Sequence, residues 1–153
     1  MLRIGFTGTR NGCTEKQKET FGRLIREFAS ENSEMEFHHG DCIGSDADTH
    51  DLIKSYNKTR STGNPMIFPQ IRIFGHPPFN PKARAFKECD FLLPEKDYID
   101  RNHDIVNTCH ILIATPKGYV EELRSGTWAT IRYAIKTDKP VWIIFPDGNI
   151  RER

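Results

Sequence analysis

Short apolar runs alternate with helix-patterned stretches along the chain, and that alternation leaves few folds open. Runs at 2–7, 109–115 and 140–145 are largely apolar, and runs at 35–39 and 70–75 are mixed. Each reads as a strand. Between the first two in chain order, Phe21, Leu24, Ile25 and Phe28 recur at i, i+3, i+4 and i+7, the pattern of an amphipathic helix. Thr14 and Gln17 make a capping box ahead of it. Ser45 is placed to cap a second helix, with Asp46 and Asp48 in the first turn, where the macrodipole favours negative charge. Leu52, Ile53 and Tyr56 carry its buried side. A third helix is predicted over 98–108, with Ile99 and Val106 inward and Ile105 a further inward candidate. Thr127, Ile131, Ala134 and Ile135 mark a fourth. Residues 57–65 read as a loop, 76–81 as a proline-rich turn that cannot be regular structure, 82–88 as a short helix, and 149–153 as a polar tail.

Strands alternating with helices specify an α/β fold, a doubly wound parallel sheet with helices on both faces. The strands at 2–7 and 109–115 are the most uniformly apolar and therefore central, which gives the order 3-2-1-4-5 for about five strands. A chain of 153 residues fits one domain, assigned here to 1–148.

Composition narrows the function. Lys plus Arg number 22 and Asp plus Glu 21, a net charge of +1. A duplex-binding protein shows a clear basic excess, so nucleic acid is not the expected partner. No apolar run approaches membrane-spanning length, and the N-terminus lacks the cleavage pattern of a signal peptide. A cytoplasmic location without membrane association is expected. Cys13, Cys42, Cys89 and Cys109 form no C-x-x-C pair, so reduced thiols are expected and no metal or cofactor. His38 and His39 read as structural residues of a strand, and His76 as exposed in its proline turn.

The chemistry collects where strands end. The turns are Gly8-Thr9-Arg10, then Gly40-Asp41 with Gly44-Ser45-Asp46, then Gly75-His76, and after the fourth strand Arg124-Ser125-Gly126-Thr127. In a parallel sheet these fall on one rim, where ligands bind near the switch in strand order. Ser125-Gly126-Thr127 opens a helix whose first amides lack internal partners, and the macrodipole adds positive charge there. Gly126 presents no Cβ to an approaching ligand, and Arg124 offers a fork for phosphate or carboxylate. An ordinary helix cap with a structural glycine has the same local sequence. Gly8, Thr9, Gly126 and Thr127 supply amides and hydroxyls suited to phosphate, and Arg10 and Arg124 supply charge. Asp41 or Asp46 can accept from ribose hydroxyls, although Asp46 also reads as a plain helix-start charge. Phe79 or Trp128 can stack on a base; for Trp128 core packing is the simpler reading. Neither G-x-G-x-x-G nor a P-loop is present.

Four blocks occur in order: Gly8-Thr9-Arg10, Gly40-Asp41-Cys42-Ile43-Gly44-Ser45-Asp46-Ala47, Arg101-Asn102-His103-Asp104-Ile105-Val106 and Arg124-Ser125-Gly126-Thr127-Trp128-Ala129-Thr130. In these the chain resembles the SLOG superfamily of Rossmann-like domains over residues 4–146, and within it the small stand-alone members. The superfamily includes cytokinin-activating nucleotide phosphoribohydrolases, the DNA-uptake protein DprA, molybdenum-cofactor carriers and nucleotide-sensing domains. The resemblance implies a nucleotide-derived ligand at the rim, ADP-ribose-like or a nucleoside phosphate, with Asn102 helping to line the pocket. Pairing of such domains, together with Phe79, Phe86 and Phe91 in the proline-rich segment 77–94, suggests a homo-oligomer.

One departure bears on catalysis. The phosphoribohydrolases carry P-G-G-x-G-T-x-x-E, and here Thr130 stands at the glutamate position and Ser125 at the second glycine. A threonine cannot act as a carboxylate in stabilising an oxocarbenium-like centre or activating water. Cleavage of an N-glycosidic bond therefore needs another carboxylate, for which Asp104, Glu121 and Glu122 are candidates. The same residues also read as solvated charges. The expectation is a sensor, carrier or sequestering protein, with an N-glycosidic nucleotide hydrolase or transferase as the alternative. Single-stranded DNA binding is disfavoured by the charge.

Overall fold

The computed structural model describes residues 1–60 and 70–153, the side chain of Arg60 excepted. Its elements are β1 (Leu2–Gly8), α1 (Glu15–Glu31), β2 (Met35–His39), α2 (Ser45–Arg60), β3 (Ile71–Gly75), a 3-10 turn (Pro81–Ala83), β4 (Phe91–Leu92), α3 (Tyr98–Thr108), β5 (Ile111–Thr115), α4 (Gly126–Lys136), β6 (Val141–Ile144) and β7 (Ile150–Glu152). The strands form one sheet in the order β4-β3-β2-β1-β5-β6-β7. The expected 3-2-1-4-5 arrangement is its parallel centre, β3-β2-β1-β5-β6.

Local chemistry sets the helix starts. Thr14 Oγ1 accepts the Gln17 amide at 3.0 Å, and Gln17 Oε1 accepts the Thr14 amide at 2.9 Å, closing the capping box of α1. Asp97 caps α3 by accepting the Asp100 amide at 2.9 Å. Side chains then sort by face. On β5, Ile113 joins one cluster with Phe6, Phe21, Phe37 and Ile53, while Leu112 and Ala114 join another with Ile105, Trp128 and Ile131. Alternation along the strand thus packs α1 and α2 on one face of the sheet and α3 and α4 on the other. Phe6, Phe21 and Phe37 meet with ring centroids 5.6–5.9 Å apart. No helix among the described residues is long and apolar enough to cross a membrane.

Both edges of the sheet differ from the sequence reading. The expected polar tail carries β7, antiparallel to β6, after a tight turn in which Phe145 N–H donates to Asn149 at 2.8 Å. The expected helix over 82–88 shrinks to the 3-10 turn, because Asp41 holds the following segment extended. Asp41 accepts from the Lys87 amide at 3.1 Å and pairs with Arg84 at 3.1 Å, and its carbonyl accepts the Ala85 amide at 2.8 Å. Residues 57–60 of the expected loop continue α2, and the remainder of it, 61–65, lies outside the described residues. Val106 and Ile105 are buried as expected, but Ile99 is 69% exposed, and Arg101 joins the inward face of α3.

β2 is buried along its whole length although it carries Glu36, His38 and His39. Glu36 accepts from Arg3 at 3.2 Å, Arg72 at 3.3 Å and His38 at 3.0 Å. Burial opposes its ionisation, but His38 and the two arginines hold its carboxyl below the usual range. His38 Nδ1 lies 2.8 Å from His76 Nε2. His76 is therefore not exposed as expected but 4% accessible, drawn inward by this bond and by its amide donating to His39 at 2.8 Å.

The rim turns are tied to one another. The Thr9 carbonyl accepts both the Ser45 amide at 3.0 Å and the Ser45 hydroxyl at 2.7 Å, and the Thr9 amide donates to Thr115 at 3.1 Å. Gly44 has φ +90°, and a Cβ there would overlap the Arg10 backbone. Gly44→Ala should therefore cost roughly 2 kcal/mol or more in urea unfolding. Gly22→Ala, inside α1 and facing only the flexible end of Arg26, should instead stabilise by up to about 1 kcal/mol.

Candidate functional site

A cavity of about 520 Å³ opens beyond the C-terminal ends of β1, β2 and β5. It sits where the chain order reverses, since β1 has β2 on one side and β5 on the other. Gly8, Thr9 and Arg10 line it from the turn after β1, and Gly40, Cys42 and Asp46 from the turn after β2. Tyr98, Arg101 and Asn102 line it from α3, and Lys117, Glu122 and Arg124 from the loop after β5. Ser125, Gly126, Thr127 and Trp128 complete it from the start of α4.

Most residues singled out in the sequence meet here, and Asp41, Gly44, Ser45 and Phe79 do not. Asp41 is fully buried beneath the rim, where it is spent on Arg84 and Lys87, so no oxygen of its carboxylate faces the cavity. Gly44 and Ser45 pack the β2 turn against Arg10 and Thr9; the Ser45 hydroxyl is a donor to Thr9, not a helix cap. Phe79 is exposed outside the cavity, beside Lys96 and Asp104. Trp128 packs with Ile105 and Ile131, as the simpler reading expected, and the residue also lines the cavity.

The carboxylate candidates separate in the same way. Asp104 pairs with Lys96 outside the cavity, and Glu121 pairs with Arg132 at 2.8 Å on the surface. Glu122 lines the cavity, 3.7 Å from Lys117. Thr130, at the glutamate position, turns its hydroxyl back to the Gly126 carbonyl at 2.9 Å and is buried.

Arg101 opens the third of the four blocks but is not among the expected site residues. It is 6% exposed, and its Nη1 donates to the Gly40 carbonyl at 2.6 Å and the His76 carbonyl at 3.1 Å. Its Nε donates to Asn102 at 2.8 Å. A Cβ on Gly40 would overlap this guanidinium, so glycine is needed there for packing. The available signal was an arginine one helical turn before Ile105 on the buried face of α3. Tyr98 lies between Arg10 and Arg101, whose guanidinium carbons are 5.0 and 5.5 Å from its ring centroid. Lys117 and Cys42 also went unselected; burial pushes the Cys42 thiol up, which leaves it an uncharged wall.

At the start of α4, Ser125 Oγ accepts the Trp128 amide at 3.2 Å, so this hydroxyl serves the cap. The amides of Gly126 and Thr127 lie in the first turn, where helices offer no internal acceptor. A Cβ on Gly126 would meet nothing within 4 Å, and its φ lies outside the left-handed region. Neither packing nor backbone conformation demands this glycine; its effect is to leave the helix start open. Arg124 is exposed and makes no hydrogen bond or ion pair among the described residues. Arg10, Arg101, Lys117 and Arg124 face two carboxyls, Asp46 and Glu122. Asp46 accepts the Cys42 amide at 3.1 Å, and burial raises its pKa to about 6 against the opposing pull of Arg101. Such a cavity suits an anionic ligand.

No family model and no curated protein matches the chain. Among solved structures, the fold is shared with TM1055, a Northeast Structural Genomics Consortium target, at a TM-score of 0.56 and 16% identity over 92% of this chain and 72% of that one. It is shared also with the molybdenum cofactor binding protein from the phototrophic bacterium Rippkaea orientalis, at a TM-score of 0.59 and 17% identity over 94% of this chain and 76% of that one. At these identities the likeness is one of Rossmann-like fold.

The buried carboxyl of Asp46 makes stability depend on pH. Its folded pKa is raised from 3.8 to about 6, so the folded chain holds this proton where the unfolded chain has lost it. The associated stability is fully present below the unfolded value and disappears as pH rises through about 6. Asp46→Asn should therefore be more stable than the parent protein at pH 8, by up to about 3 kcal/mol, with the gap narrowing towards pH 4. Thermal melts of both proteins across this range test it.

Proposed function

We propose that the cavity binds a nucleotide or nucleotide-derived small molecule, ADP-ribose-like or a nucleoside phosphate. In this reading the chain is a SLOG-type cytoplasmic sensor, carrier or sequestering protein built on residues 1–148. The observation that carries it is the open start of α4 among Arg10, Arg101, Lys117 and Arg124. Backbone amides and a helix dipole hold a phosphate, and arginine adds charge-assisted bonds to its oxygens. Arg124 has no competing partner among the described residues and would make those bonds, with the Gly126 and Thr127 amides beneath. Asn102 and Asp46 offer polar atoms for ribose, and Trp128 an aromatic wall. The fold of a protein named for binding the molybdenum cofactor supports a small-molecule site on this architecture.

N-glycosidic hydrolysis is the second reading, and one observation favours it. Asp46 is a carboxyl whose pKa of about 6 lets it hold a proton near neutrality, and Glu122 is a second carboxyl on the same cavity. Such a pair could divide acid and base roles. Incubation with nucleoside monophosphates, followed by chromatography for free base, separates the readings; the binding reading expects no base released.

Calorimetry against a nucleotide panel should find at least one ligand. Arg124→Ala should weaken it roughly tenfold or more, the scale of one charge-assisted hydrogen bond. Gly126→Ala should weaken it too while leaving the unfolding midpoint nearly unchanged, since its methyl enters open space. A panel without any binding, or an Arg124→Ala protein that binds as before, overturns the proposal.

Self-association along the β4 edge is part of the same reading. Phe86, Phe91 and Leu92 are 61%, 49% and 55% exposed there. Light scattering should give a mass above that of one chain, reduced to one chain by Phe86→Asp with Leu92→Asp. A parent protein with the mass of one chain contradicts it.

A further inference from the structure

Three metal-ligating side chains meet away from the cavity. His39 ends β2, His50 lies on α2, and Cys89 lies in the segment before β4. His39 Nε2 is 3.0 Å from His50 Nδ1 and 3.8 Å from Cys89 Sγ, and the three donor atoms lie within 4.8 Å of one another. Both histidines are buried and Cys89 is half-buried. Gly75 makes room for the thiol, because a Cβ there would stand 2.9 Å from the sulfur.

We propose that His39, His50 and Cys89 form a binding site for a borderline-soft divalent metal ion of the zinc class. Tetrahedral zinc, with bonds of about 2.0–2.1 Å to nitrogen and about 2.3 Å to sulfur, separates its ligand atoms by about 3.3 Å for two nitrogens and about 3.5 Å for nitrogen and sulfur. The two short separations here lie within a few tenths of an ångström of those values. Two imidazoles and a thiolate select zinc-like ions over magnesium or calcium, which take oxygen ligands. Three protein ligands leave a fourth position for water, and the partial exposure of Cys89 supplies a route to solvent.

The Asp41 amide donates to His39 Nδ1 at 2.9 Å, so the neutral His39 ring carries its proton on Nε2 and gives it to His50 Nδ1. A divalent ion displaces that proton and the Cys89 thiol proton to solvent. The ligands become an imidazolate, a neutral imidazole and a thiolate, and their two negative charges cancel the ion's two positive ones. A site with no net charge suits a buried position. The Asp41 amide keeps its bond to Nδ1 throughout. Charges around the three ligands are mixed, with Asp41, Asp51 and Asp90 against Arg84, Lys54, Lys87 and Arg101.

None of His39, His50 and Cys89 lines the cavity. The full chain, stripped with a chelator, is titrated with cobalt(II) as the spectroscopic probe. One cobalt per chain should bind, with the visible bands of tetrahedral cobalt and a near-ultraviolet thiolate-to-cobalt charge-transfer band, and zinc should bleach both. Cys89→Ser should lose the charge-transfer band and His50→Gln should lose most of the affinity, whereas Cys13→Ser should retain both. Circular dichroism establishes that each variant is folded. A parent protein without tetrahedral cobalt bands overturns the proposal, whatever the variants do, and so does a charge-transfer band that survives Cys89→Ser.

Discussion

A buried guanidinium organises the functional end of this protein. Arg101 reaches from α3 across Gly40 to two backbone carbonyls, those of Gly40 and His76. These belong to the turns after β2 and β3, which the guanidinium thereby joins to α3. A buried charge is tolerated only when its donors are satisfied, and a buried carbonyl only when it has a donor. The arginine and the turns therefore satisfy one another. Gly40 is obligatory because any side chain would overlap the guanidinium. Asp46 is drawn into the same environment, where burial outweighs the nearby positive charge.

Around that contact, a second set of polar bonds fixes the rim. Thr9, Ser45 and Thr115 join the turn after β1 to the start of α2 and the end of β5. Asp41 joins the β2 turn to the segment leading into β4. These are donor–acceptor pairings of buried and half-buried groups. The start of α4 differs in kind. A Cβ on its glycine would meet nothing, and the loop before it carries the exposed Tyr119, Val120 and Leu123. A hydrogen-bonded floor and an unencumbered helix start are thus two different parts of the cavity wall.

This division bears on chemistry. The groups that face the cavity are largely donors and cations, which stabilise negative charge already present in a ligand. Catalysis at an N-glycosidic bond needs carboxylates aimed at the sugar, and Thr130 offers a helix-bonded hydroxyl in place of one. Binding of an anion therefore follows from more of the observed geometry than bond cleavage does.

The sequence by itself determined the α/β class, the central order of the parallel strands, the capping box of α1 and the Gly126 helix start. Each depends on residues close together in the chain, through periodicity, capping or turn chemistry. It also brought Gly8, Thr9, Arg10, Gly40, Asp46, Asn102 and the stretch from Arg124 to Thr127 to one cavity, since strand ends in a parallel sheet share a rim. Tertiary structure alone decided which polar residues at that rim face the cavity and which are spent on the protein. Asp41 and Ser45 carry the same local signals as Asp46 and Thr9, yet their partners, Arg84, Lys87 and Thr9, come from distant turns. The edge strands β4 and β7 form because a neighbouring strand offers unpaired backbone groups, a condition invisible in two or three residues. Arg101 on an otherwise apolar helix face, and the meeting of His39, His50 and Cys89 across separations of 11 and 50 residues, have the same cause. Long-range proximity is set by how helices pack on the sheet, and no local pattern encodes it.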